Sequence, residues 1–152
     1  MTAVTGKKVL IVEDDAALRE TCRDILAEEG LTVVEAADGT SGLAAARRER
    51  PDAIVLDIAM PGMDGYQVAE ALVAEEATAA IPILFLTARD TFSDQLRGYE
   101  AGGVEYIIKP FDLATFVMLV HRQLERAAAS SPASASERLA RIGALRLLLG
   151  VE

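Results

Sequence analysis

Five side chains that could do phosphate chemistry each stand where a short apolar run stops. Val9 to Val12 runs into Glu13, Asp14 and Asp15; Ile54 to Leu56 into Asp57; Ile83 to Leu86 into Thr87; Tyr106 to Ile108 into Lys109. Adjacent carboxylates repel. At an effective dielectric near 20, two unit charges about 4 Å apart cost roughly 4 kcal/mol. Such a cluster calls for a cation or a proton. Oxygen donors alone, with room for water, suit magnesium, which takes one or two carboxylates plus a phosphate. No Cys or His stands with them, so zinc is a poor match. A carboxylate can also be a nucleophile toward a phosphoryl group. The transferred group then needs its oxygens neutralised and its geometry fixed, which a lysine and a hydroxyl supply. Asp57, Glu13, Asp14, Thr87 and Lys109 offer each role once. Any one of them alone reads equally well as a solvated loop residue; the shared position at the end of an apolar run joins them.

The elements that would hold these residues alternate. Strands are expected at Lys8 to Val12 (β1), Thr32 to Glu35 (β2), Ala53 to Asp57 (β3), Ile81 to Thr87 (β4) and Val104 to Ile108 (β5). Helical periodicity gives Ala16 to Glu29 (α1, stopped by Gly30), Gly39 to Arg50 (α2, ended by Pro51), Tyr66 to Glu76 (α3), Thr91 to Ala101 (α4) and Asp112 to about Ala129 (α5). Strands alternating with helices, and apolar on both faces as in Ile83-Leu84-Phe85-Leu86, indicate a parallel α/β sheet covered on both sides. In such sheets ligands bind beyond the carboxyl ends of the strands, at the switch in strand order. The five residues sit there.

In combination these residues are specific. Val12-Glu13-Asp14-Asp15, the run from Leu56-Asp57 through Ala59-Met60-Pro61-Gly62-Met63-Asp64-Gly65, Leu86-Thr87-Ala88, and Gly103 through Tyr106 to Lys109-Pro110-Phe111 closely resemble the receiver domain of two-component response regulators. The resemblance covers roughly residues 7 to 127. It implies a doubly wound, flavodoxin-like sheet of strand order 2-1-3-4-5 and an Asp57 that accepts phosphate from a histidine kinase or phosphotransfer protein. It further implies a magnesium ion held by Asp14, Asp57 and the backbone carbonyl of Ala59, with Glu13 acting through water. Thr87 and Lys109 would bond the phosphoryl oxygens, Lys109-Pro110 would be cis, and Tyr106 would rotate inward as Thr87 moves. Ala59 and Arg89 would flank the path of attacking water and set the lifetime of the phosphate. An isolated metal-dependent hydrolase would need a base and a substrate pocket, and the sequence offers neither.

The whole chain has 152 residues and a formal net charge of -9. That acidity argues against direct nucleic-acid binding by this domain, because phosphate backbones demand Lys and Arg. A single cysteine, Cys22, excludes an internal disulfide, and an intracellular setting is expected. Cys22 shares a helical face with Leu18, Ile25 and Leu26 and reads as core filler. His121, the lone histidine, reads as a helix-surface residue. No opening apolar run suggests a signal peptide and no stretch approaches a membrane span, so the cytoplasm is the expected location.

The receiver is expected over 7–129 and a flexible linker over 130–136, where Ser, Pro and Ala dominate. A short tail over 137–152 carries Leu139, Ile142, Leu145 and Leu149 at amphipathic spacing, interrupted by Gly143. Twenty-three residues after Ala129 are too few for a folded effector. The tail weakly resembles both the entry to diguanylate cyclase domains and the first strand of a winged-helix effector. Three outputs stay open: a stand-alone phosphoryl relay or protein-binding switch, the receiver of a longer DNA-binding regulator, and the receiver of a signalling enzyme. For α5, the expected core stripe is Leu113, Phe116, Val117, Val120 and Leu124. Met118 and Leu119 fall outside it and are expected to be exposed, as part of a homodimer face built from α4, β5 and α5.

Overall fold

β3, Ala53–Asp57, is buried along its whole length and lies at the centre of the sheet. In the computed structural model, which describes residues 5–88, 105–129, 139, 140, 142 and 143, β1 (Lys8–Val12) pairs with it on one side and β4 (Ile83–Thr87) on the other. β2 (Thr32–Ala36) and β5 (Glu105–Ile108) form the edges, giving five parallel strands in the order 2-1-3-4-5. The register sets Val12 beside Leu56, Asp57 beside Leu86, and Thr87 beside Ile108, so the strand ends line up along one edge.

Helices cover both faces. α1 (Ala16–Glu28) and α5 (Leu113–Ala129) lie over Val9, Ile11, Val55, Leu84 and Leu86. α2 (Gly39–Glu49) and α3 (Gly65–Ala74) lie over Leu10, Val12, Ile54, Leu56 and Phe85. Alternate strand residues point to opposite faces, so both faces must be apolar when both are covered. The helix starts are fixed by side chains expected from capping chemistry. Asp15 accepts from the Ala17 and Leu18 amides, Asp38 from Ser41, and Asp64 forms a reciprocal box with Gln67. The segment expected as α4 (91–101), and the linker at 130–136, lie outside the described residues.

Boundaries moved where the backbone demanded it. β4 begins at Ile83, not Ile81, because Pro82 has no amide to give the ladder. α3 stops at Ala74, short of Glu76: Glu75 is extended, and the Thr78 hydroxyl returns to bond the Leu72 carbonyl at 2.6 Å. The larger correction concerns α5. Leu119 is 7% exposed and belongs to the core, whereas Leu113 is 37% exposed and only Met118, at 53%, stands out as expected. Among the described side chains of α5 the buried ones are Phe116, Leu119, Val120, Gln123 and Leu124, spaced i, i+3, i+4, i+7 and i+8. The expected stripe leaned toward Val117, which is only half-buried; the observed one is turned toward Leu119 and Gln123.

Gln123 is buried for a reason. Glu105, at the start of β5, is a fully buried carboxylate beneath α5, and Gln123 and Arg122 both donate to it. In the tail, Ile142 is buried in the same apolar cluster as Phe85 and Tyr106, while Leu139 stays partly exposed.

Candidate functional site

β1 continues one residue past its ladder: the Glu13 amide bonds the Ala36 carbonyl at 3.1 Å, and the chain then leaves the sheet. Glu13 is thereby buried (1% exposed), whereas Asp14 sits in solvent at the mouth. From β3, Asp57 arrives 3% exposed. Carboxylate oxygens of Glu13, Asp14 and Asp57 lie within 4.8 Å of one another. Asp15 does not join them. Its carboxylate caps α1, and its amide bonds Glu13 Oε2 at 3.1 Å.

Lys109 follows β5, its amide held by the Thr87 carbonyl at 2.7 Å. Its Nζ reaches Glu13 Oε1 at 2.8 Å and Asp57 Oδ1 at 3.4 Å. The Lys109-Pro110 bond is cis, as the resemblance implied. Thr87 is buried at the end of β4, and Tyr106, on β5 beside Phe85, is buried among apolar side chains of the α2–α3 face. The Ala59 amide donates to Asp57 Oδ1 at 3.2 Å. Arg89 lies outside the described residues.

Electrostatics separates the carboxylates. Burial, aided by the hydrogen bond to Glu13 and the Glu13 charge, pushes Asp57 up to about 7 against the pull of Lys109. Asp14 goes the other way. Its slight burial is outweighed by hydrogen bonds with Glu13 and Asp57, its own amide and the Lys109 charge, and its pKa falls below the usual carboxylate value. Burial works against the Lys109 ammonium, but the Glu13 and Asp57 carboxylates prevail and hold its pKa above the ordinary lysine value. Three oxygen donors with a surplus of negative charge fit a hard divalent cation, and no nitrogen or sulfur ligand joins the cluster among the described residues.

The profile of the response regulator receiver domain matches residues 9–121. The chain belongs to the response regulator receiver family. The probable transcriptional regulatory protein TcrX of Mycobacterium tuberculosis is 41% identical over 118 residues, 78% of this chain and 50% of that protein. The transcriptional regulatory protein PrrA of Mycobacterium bovis is 39% identical over 146 residues, 96% of this chain and 61% of that protein. This receiver therefore spans about half to three-fifths of those relatives. Among solved structures, a putative response regulator from Chloroflexus aurantiacus is 34% identical with a TM-score of 0.71, covering 80% of this chain and 100% of its own. The receiver domain of the sensor histidine kinase PA1611 from Pseudomonas aeruginosa, with a magnesium ion coordinated in its active-site cleft, is 31% identical with a TM-score of 0.69, covering 80% of this chain and 99% of its own.

One receiver residue escaped role assignment in the sequence. A Cβ on Gly65 would stand 2.4 Å from the Asp57 carbonyl, and the Gly65 amide bonds Ile58 at 3.0 Å. The start of α3 therefore presses directly on the backbone that carries Asp57, which only glycine permits. Its signal was the Asp64-Gly65 pair ahead of an apolar helix. Among the described residues no helix is long and apolar enough to cross a membrane.

Proposed function

We propose that Asp57 is the phosphoacceptor of a two-component signalling switch. The observation that carries this reading is the convergence of the Asp57 carboxylate with Lys109 Nζ at 3.4 Å and with the Glu13 and Asp14 oxygens, at the β1–β3 switch point. An Asp57 oxygen attacks the phosphorus of a phosphohistidine on a kinase or phosphotransfer protein. The P–N bond breaks, the imidazole leaves with its electron pair, and an aspartyl phosphate forms. Lys109, already lodged between Glu13 and Asp57, meets the charge of the incoming oxygens. Asp14, Asp57 and the Ala59 carbonyl would hold magnesium, with Glu13 acting through water; when bound, the ion neutralises the carboxylates and the phosphoryl oxygens. Thr87 then bonds the phosphate and Tyr106 follows it, shifting the face of α4, β5 and α5, where Met118 offers an apolar contact for a partner or a second copy. Leu119 has no part in that face. Ala59 and Arg89 tune the lifetime of the phosphate.

The test is mass spectrometry after incubation with acetyl phosphate and magnesium. One phosphoryl group should appear and be base-labile, and Asp57→Asn should abolish it. Full labelling of that variant rejects the assignment. The similarity to two transcriptional regulators, each longer than this chain, favours a second reading of the output: receiver of a DNA-binding regulator, with the DNA contacts outside this acidic domain. Phosphorylation-dependent DNA retention by the product of the complete reading frame tests it.

A further inference from the structure

The Glu13 carbonyl lies one residue past β1, beyond the strand's ladder and in a residue that is almost fully buried. A buried carbonyl needs a donor. It finds one in Arg19, whose Nη1 donates to it at 2.7 Å from the second turn of α1. The same guanidinium is held from behind: Arg19 Nε lies 3.4 Å from Glu35 Oε1 on β2. The other Glu35 oxygen is taken by Arg23 Nη1 at 3.3 Å. Arg19 is thus tied at both ends, and its side chain is only 19% exposed.

The bonded carbonyl belongs to the peptide that joins Glu13 to Asp14. A peptide is planar, so fixing its oxygen fixes the plane from which the Asp14 backbone departs. Asp14 is the one carboxylate of the cluster out in solvent, with least packing to hold it. Magnesium demands near-octahedral geometry and tolerates misplacement poorly.

We infer that Arg19, backed by Glu35, is a positioning residue for the acidic site: it sets the Glu13–Asp14 peptide so that Asp14 can share a divalent cation with Asp57. This rests on the reading of the cluster as a magnesium site. A guanidinium offers no oxygen ligand, so Arg19 would act through the peptide and not on the ion itself. Outer partners of this kind are typically worth 10- to 100-fold in metal affinity.

Calorimetric titration of the protein with magnesium chloride, alongside thermal unfolding in EDTA, tests the inference. Arg19→Met should weaken magnesium binding about 10-fold or more. Raising magnesium should restore the initial rate of labelling by acetyl phosphate toward that of the parent. Arg19→Lys, which keeps a donor and a charge, should recover part of the affinity. Glu35→Gln should weaken binding by a smaller factor while leaving Arg19 in place. If Arg19→Met does not fold, the Lys and Gln variants decide. Magnesium affinity equal to the parent's in a folded Arg19→Met, or in both of the other two, overturns the role of Arg19. A parent that binds no magnesium overturns instead the metal reading on which the inference rests.

Discussion

Asp57 is held ready at a cost in stability, and Asp57→Asn should reveal it. The carboxyl is 3% exposed, and its pKa rises from 3.8 to about 7 because burial and Glu13 both disfavour its charge. Since the folded value lies above the unfolded one, the folded chain binds the proton more tightly. The associated stability is fully present below about pH 4 and is lost as pH rises through about 7. A gap of about three pH units at about 1.4 kcal/mol each sets a ceiling of about 4 kcal/mol. Sharing of the proton across the carboxylate cluster reduces the realised figure to the order of 2 kcal/mol. Asn keeps the shape and can still accept from the Ala59 amide, and Lys109 retains Glu13 as its partner. In EDTA near pH 8, Asp57→Asn should therefore be more stable than the parent by about 2 kcal/mol, with the difference fading toward pH 4. Saturating magnesium should close the gap, because binding to the folded parent stabilises it by mass action. Urea unfolding followed by far-UV circular dichroism reads all three. If the variant is no more stable than the parent near pH 8 without metal, the site is not electrostatically strained and the argument is refuted.

Other perturbations separate packing from chemistry. Leu119→Arg should destabilise by about 3 kcal/mol or more, since it forces a charge into the core, while Met118→Arg should shift stability by less than about 0.5 kcal/mol; equal urea midpoints would contradict the burial of Leu119. Gly65→Ala should cost about 1–3 kcal/mol and slow acetyl phosphate labelling, because the new methyl must displace the Asp57 backbone; parent-like rates and stability would show that the contact relaxes freely. Arg122→Leu should cost about 3 kcal/mol by stripping a donor from buried Glu105, and adding Glu105→Leu should recover much of that loss; an additive double-variant cycle in urea unfolding would argue against the pair.

Much of this receiver could be read from its residue order. Apolar runs ending in Glu13, Asp57, Thr87 and Lys109 located the strands and their functional ends, because a parallel sheet exposes its ligand chemistry where its strands stop. Apolar periodicity located the helices, whereas the caps that fix three of their starts, Asp15, Asp38 and Asp64, emerged only in the folded chain. What failed, or stayed silent, depended on partners distant in sequence. Leu119 was misplaced because the stripe of α5 is defined by Gln123, and Gln123 is buried only because Glu105 waits beneath it. Asp15 looked equivalent to Glu13 and Asp14 until the folded chain turned it to cap α1 and turned Glu13 toward Lys109, 96 residues away. Nothing in the residue order singles out Arg19, which gains its partner only when α1 lays it across the end of β1. Local periodicity and propensity determine elements. Which buried polar group meets which donor is decided only when the elements pack, because an unpartnered charge or carbonyl can be satisfied from anywhere in the chain.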